Sequence, residues 1–210
     1  MKIKLILTLL FIFLSINNFA QKQIFESPNL ISTVAQHKTV AVLPFRVTIS
    51  YKRTPKNFDA EGNKADEKKS GLNMQSGMLT YLLRKQDKYS VSFQDVNRTN
   101  TLLKQAGIFD KLDEILPDSI CKLLKVDALI NSTYSYEKTG SQGAAIATAI
   151  LLGAASSTGS GSLTMQIYDG KEGSLLWRFY KEMDENIYSS GDELMERMMR
   201  KVSRNFPYEK

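Results

Sequence analysis

The chain of 210 residues carries one cysteine and one histidine. A single cysteine excludes an internal disulfide, and one His with one Cys cannot assemble a His/Cys zinc site. The glycines of GSQGAA and TGSGSL are not followed by the Lys-Ser/Thr pair of a phosphate-binding loop, and no G-x-S-x-G nucleophile elbow occurs. No apolar run reaches the roughly 20 residues of a membrane-spanning helix. The formal charge of +6 is not gathered into a long basic block, so nucleic acid is not an expected partner. These absences argue against metal, phosphoryl-transfer and elbow-serine chemistry, and no cofactor is expected.

What is present begins with an address. Lys2 and Lys4 precede the apolar stretch LILTLLFIFLSI, and NNFAQ follows, with Ala20 suited to be the last residue before cleavage. Residues 1–20 therefore read as a signal peptide. No cysteine directly follows it, so the lipid-attachment Cys of a bacterial lipoprotein is not expected. The expected location is the periplasm or the periplasmic face of the outer membrane. Residues 21–37 read as a leader or short helix, and residues 38–210 as one domain.

Within that domain, KTVAVLPFRVTI (residues 38–49) is the strongest strand signal. Val40, Ala41, Val42 and Leu43 form a continuous apolar run, the pattern of a strand buried on both faces. Residues 50–71 are polar, contain Pro55 and Gly62, and read as a loop with a basic cluster of Lys52, Arg53 and Lys56. Leu72, Met78, Leu79, Leu82 and Leu83 fit one helical stripe. KYSVSFQDV reads as a strand, and NRTNTLLKQAGI and DSICKLLKV as helices, the latter with Asp118 as N-cap after Pro117. The same Asp118–Ile120 triplet also fits a short acceptor pattern for envelope O-glycosylation. Cys121 reads as a buried small hydrophobe. VDALINSTYSYEK is a third strand. SLTMQIYDGKEGSLLWRFYKE is a β-hairpin with Leu163, Met165 and Ile167 alternating on one side, and Asp169 and Glu172 chosen for turn geometry. Asp184 and Glu185 read as a solvated loop pair. Leu194, Met198, Val202 and Phe206 repeat every four residues on a last amphipathic helix. The expected fold is α/β: a single domain with a mixed five-stranded sheet, packed helices, and a C-terminal hairpin plus helix.

Four stretches, TVAVLPF, MLTYLLRKQDKYSVSFQDVNRTNTLL, KVDALINSTY and LTMQIYDGKEGSLLW, together resemble the bacterial envelope family that includes CsgG and the N-terminal domain of TolB. The resemblance departs where Asn131 and Ser132 replace a usual Gly, and no pair of amphipathic pore-building hairpins is evident. It implies a non-catalytic, envelope-associated domain that makes protein contacts, without pore formation.

One block stands apart. Residues 143–162, GAAIATAILLGAASSTGSGS, hold no charge. As a helix, the apolar 14 residues would be about 21 Å long, short of the roughly 30 Å hydrocarbon layer. Ala145, Ala149, Gly153 and Ser157 recur every fourth position, a small-residue face that lets two backbones approach. Ile146 and Ile150 border it, and Leu151 extends the apolar surface. Ala145, Ile146, Ala149, Ile150, Leu151 and Gly153 are the candidate interaction residues, and STGSGS is expected to link back flexibly. The expected partners are envelope proteins, a second copy of the chain, or the membrane surface. A second reading is a carbohydrate- or lipid-binding module using the aromatic residues Trp177, Phe179, Tyr180, Tyr134 and Tyr136. A hydrolase with an unrecognised site is the third. His37, at the foot of the first strand, is expected to be partly exposed and without chemistry.

Overall fold

The computed structural model describes residues 23–138, 157–186 and 191–210, with the side chains of residues 157–159, 183–186 and 191–195 excepted. The signal-peptide stretch and the six candidate interaction residues lie outside these.

One mixed sheet organises the molecule. Its strands are β1 (Gln23–Glu26), β2 (Thr39–Val42), β3 (Arg46–Tyr51), β4 (Ser92–Phe93), β5 (Ala128–Lys138), β6 (Ser157–Asp169) and β7 (Leu175–Asn186). The order is β1-β7-β6-β5-β2-β4, with β3 also pairing β5. β2, β3, β4 and β5 run parallel where they pair; β5, β6, β7 and β1 are antiparallel. The helices are α1 (Leu30–Val34), α2 (Ala60–Leu83), α3 (Val96–Gln105), α4 (Pro117–Leu124) and α5 (Gly191–Val202).

The α/β class and the mixed sheet stand, but the sheet has seven strands among the described residues rather than five. One extra strand comes from the expected leader: β1 pairs with Trp177–Tyr180 of β7. The other comes from splitting the first strand. Pro44 has no N–H to give a ladder. The Phe45 N–H turns to the Gly71 carbonyl of α2, and β3 resumes on the upper half of β5. β5 thus carries β2 along Ala128–Ile130 and β3 along Thr133–Lys138.

Val40, Ala41, Val42 and Leu43 are buried, as a strand covered on both faces requires. Val40 and Val42 join the larger core with Met74, Met78 and Leu82 of α2, Met198, Met199 and Val202 of α5, and Trp177 and Phe179 of β7. Ala41 and Leu43 join a second core with Leu103 of α3 and Ile120, Cys121 and Leu124 of α4. Leu83, expected in the α2 stripe, is exposed; Met74 and Tyr81 take the buried positions instead.

α2 begins twelve residues before the apolar stripe, so residues 60–71 are helix and not loop. The Asp59 carboxylate accepts from the amides of Glu61 and Gly62, a good N-cap. The polar first half is held by tertiary bonds rather than burial: the Ile49 N–H donates to Glu67 (2.8 Å), and Asn63 Nδ2 donates to the Ile49 carbonyl (3.2 Å). Both outward groups of a strand edge are thereby occupied. α4 is capped by Leu116 with Pro117 at its first position; Asp118 sits inside the first turn, where it pairs with Lys122 at 2.7 Å.

Candidate interaction site

The charge-free block is mounted on the β5–β6 hairpin. β5 ends at Lys138 and β6 begins at Ser157, with Lys138 opposite Gly159. The chain leaves and re-enters at the same end of the sheet. STGSGS is not a flexible link: Ser157–Ser162 are the first residues of β6, paired to both β5 and β7. Glycine is needed at residue 161 because Tyr134 lies across the strand there. A Cβ on Gly161 would meet the Tyr134 hydroxyl oxygen at 2.5 Å. Ser157 therefore belongs to a strand, and the every-fourth stripe is left with Ala145, Ala149 and Gly153. Asp184 and Glu185 likewise lie in β7 rather than in a loop.

The same end of the sheet carries an aromatic and basic cluster. The Tyr51 ring, on the last residue of β3, meets Phe58 edge-on with centroids 5.4 Å apart. Lys138 Nζ lies 4.9 Å over the Tyr51 ring and donates to its hydroxyl at 3.3 Å, and that hydroxyl donates to Asn63. The Tyr51–Phe58 contact closes a loop of six exposed residues that bears Lys52, Arg53 and Lys56. Phe58 itself is 41 % exposed.

The aromatic sheet face expected as a binding platform is interior. Trp177, Phe179 and Tyr134 are buried; Trp177 stacks on Phe179 and meets Phe206 edge-on. Tyr136 packs partly buried on Tyr134, and Tyr180 points to the opposite face, with Arg178 over its ring. Alternation along β7 puts Trp177 and Phe179 on the core side, where α5 and the C-terminal residues cover them.

His37 is buried, contrary to expectation. Its Nδ1 lies 2.8 Å from the Tyr208 hydroxyl and its Nε2 3.1 Å from Asp169 Oδ1. Burial, and secondarily the Asp169 carboxylate, pushes the Tyr208 pKa well up, so Tyr208 stays an O–H donor. It donates to Nδ1, and Nε2–H donates to Asp169. The Asp169 carboxylate also accepts from the amides of Lys171 and Glu172, and Asp127 accepts from those of Lys38 and Thr39. This cluster lines a cleft, but its carboxylates are engaged by main-chain amides and by His37, and it presents no activated nucleophile. The Cys121 thiol nearby is buried and pushed up to about 12 by desolvation and then by Asp169, so it stays protonated. Nothing local in the sequence signals this node, since its members are 132 and 171 residues apart.

No protein-family model matches the chain, and no curated protein matches its sequence. Solved structures do. The lipoprotein GNA1162 from Neisseria meningitidis aligns over 80 % of this chain and 96 % of its own, at 14 % identity and a TM-score of 0.48. The PelC dodecamer from Paraburkholderia phytofirmans aligns over 91 % and 98 %, at 13 % identity and 0.43. The LpoB C-terminal domain from Salmonella enterica aligns over 74 % and 93 %, at 11 % identity and 0.36. At these scores the likenesses carry no argument about function, which has to rest on the chain's own residues.

Among the described residues, no helix is long and apolar enough to cross a membrane, and no group of three His, Cys, Asp or Glu side chains is placed to hold a metal.

Proposed function

We propose that this is an exported, non-enzymatic protein of the bacterial envelope that works by contact, mediating protein interaction or assembly at the end of the sheet where the β5–β6 hairpin opens. The observation that carries the reading is the position of the charge-free block. A hairpin turn of two to five residues would join β5 to β6. The chain instead spends the residues between Lys138 and Ser157 there, most of them small or apolar. The strands on both sides are already paired and packed among the described residues. The engagement of His37, Asp169 and Asp127 in structural bonds, with a protonated Cys121, supports a role without catalysis. The four stretches similar to the CsgG and TolB N-terminal family fit the same reading. Burial of Trp177 and Phe179 removes the support for a glycan- or lipid-binding aromatic platform.

The test is Gly153→Leu. It replaces a small residue of the block with a bulky one and changes none of the described core residues. Sedimentation velocity is expected to show weakened assembly at an unchanged melting temperature. Unchanged association at normal stability would sink the contact reading.

A further inference from the structure

The loop beside the insertion suggests what this end of the molecule touches. Lys52, Arg53 and Lys56 belong to a run of six exposed residues, and Phe58 at the loop's base keeps 41 % of its surface in water. Cations in one short loop with a part-exposed aromatic suit a lipid surface: the ring enters the headgroup boundary while the cations meet lipid phosphates. Lys138 adds a fourth charge at the base of the same loop.

The acidic residues nearby offset this patch only in part. Asp59, ionised and accepting from the amides of Glu61 and Gly62, and the exposed Glu61 offset part of the charge at the loop's base, against the four cations Lys52, Arg53, Lys56 and Lys138. Glu137 alternates to the sheet face opposite Lys138. Asp184 and Glu185 lie on β7, three strands from β3 by way of β5 and β6. Three strand spacings are about 14 Å, and the two that separate Lys138 from Glu185 are about 10 Å, both beyond the roughly 8 Å screening length at physiological salt.

A second, independent observation points the same way. The chain between Lys138 and Ser157 leaves from this very end, and it is uncharged after Lys138. An uncharged, largely apolar sequence that is too short to span a bilayer and is attached at the cationic end of the sheet matches a surface that is anionic outside and apolar beneath.

We propose that the loop of Lys52, Arg53, Lys56 and Phe58, with Lys138, docks the protein on an anionic lipid bilayer surface. This rests on the reading that the hairpin end is the contact end, and it names the partner there.

The experiment is flotation of the purified full chain with vesicles containing about 30 % phosphatidylglycerol, against vesicles of phosphatidylcholine alone. Binding to the anionic vesicles is expected to be at least tenfold stronger, and to fall at about 0.5 M NaCl as the charges are screened. The triple variant K52E/R53E/K56E is expected to lose at least tenfold in binding, and Phe58→Ser several-fold, both with unchanged melting because the side chains are exposed. Equal binding to both vesicle types, or a triple variant that still binds, overturns the proposal. So does a triple variant that loses self-association in vesicle-free sedimentation, since the loop would then face a second copy. Absence of vesicle binding in a chain whose assembly remains sensitive to Gly153→Leu overturns the lipid partner and leaves the contact reading standing.

Discussion

Tyr134 of β5 and Gly161 of β6 interlock diagonally across the sheet: the tyrosine ring occupies the space that any side chain at residue 161 would take. The ring is buried and stacks on Tyr136 at 6.5 Å with planes 8° apart, so it has little room to yield. The glycine lets β6 pass Tyr134 while its ladder with β5 and β7 continues to the insertion. Gly161→Ala is expected to cost about 1–3 kcal/mol, the usual penalty of overpacking. The same change made on Tyr134→Leu should cost much less. Chemical denaturation of the four proteins of this cycle measures the difference; equal penalties in both backgrounds would break the link between the two residues.

Ile49 sits on a strand edge whose N–H and C=O are both taken by α2 side chains, Glu67 and Asn63. Exposed edges invite pairing with another chain. Replacing both residues by Ala leaves the helix formable but uncovers the edge. The expected outcome is a loss of about 1–3 kcal/mol and faster aggregation on warming. Light scattering during a thermal ramp checks it; wild-type scattering would mean the edge is guarded by something else.

Much of this architecture could be read from residue order, for reasons visible in particular residues. Val40 to Leu43 are apolar without interruption because two cores meet on β2. Leu163, Met165 and Ile167 alternate because only one face of β6 is deeply buried along its length. Cys121 reads as a small hydrophobe and is one. The misses also have causes. β1 is four residues long and offers only Ile24 to the core, too little for a pattern. Residues 60–71 have no apolar period because their helix is fastened by Asn63, Glu67 and the Lys68–Asp110 pair. Residue 161 cannot be a β-former because Tyr134 fills the space above it. The His37 node depends on contacts between distant segments, and no local pattern encodes such a contact. The basic loop was legible as Lys52, Arg53 and Lys56, but its closure by Tyr51 and Phe58 required the fold.

His37 joins the foot of the sheet to the C-terminal Tyr208, and both ring nitrogens are used. His37→Ala leaves Tyr208 without its acceptor and opens a gap in a buried site. The expected cost is about 1–3 kcal/mol, read from urea denaturation. Assembly and vesicle binding of the folded fraction should be unchanged, because the node lies at the opposite end of β6 from the insertion. A His37→Ala protein of normal stability that loses its biological role would instead assign the residue a direct function and overturn the non-catalytic reading.

The last prediction concerns alkaline pH. Burial, followed by Asp169, raises the Cys121 thiol to about 12; burial, followed by the neighbouring Tyr81, raises the Tyr89 hydroxyl to about 12; Tyr208 is raised as well. All three are neutral when protonated, and all three are more easily ionised once the chain unfolds, near 8.5 for Cys and 10 for Tyr. Between those values and about 12 the folded protein binds more protons than the unfolded chain, so unfolding releases protons and stability falls as pH rises. Below about pH 8 the contribution of these groups is complete. The protein is therefore expected to lose stability progressively from about pH 9 upward. Cys121→Ala should flatten the first part of that decline, since the thiol has the lowest unfolded pKa of the three. Urea midpoints measured from pH 7 to 11 decide it. A flat wild-type profile, or a Cys121→Ala profile that falls as steeply between pH 8.5 and 10, would show that these groups are not held protonated by burial in the core.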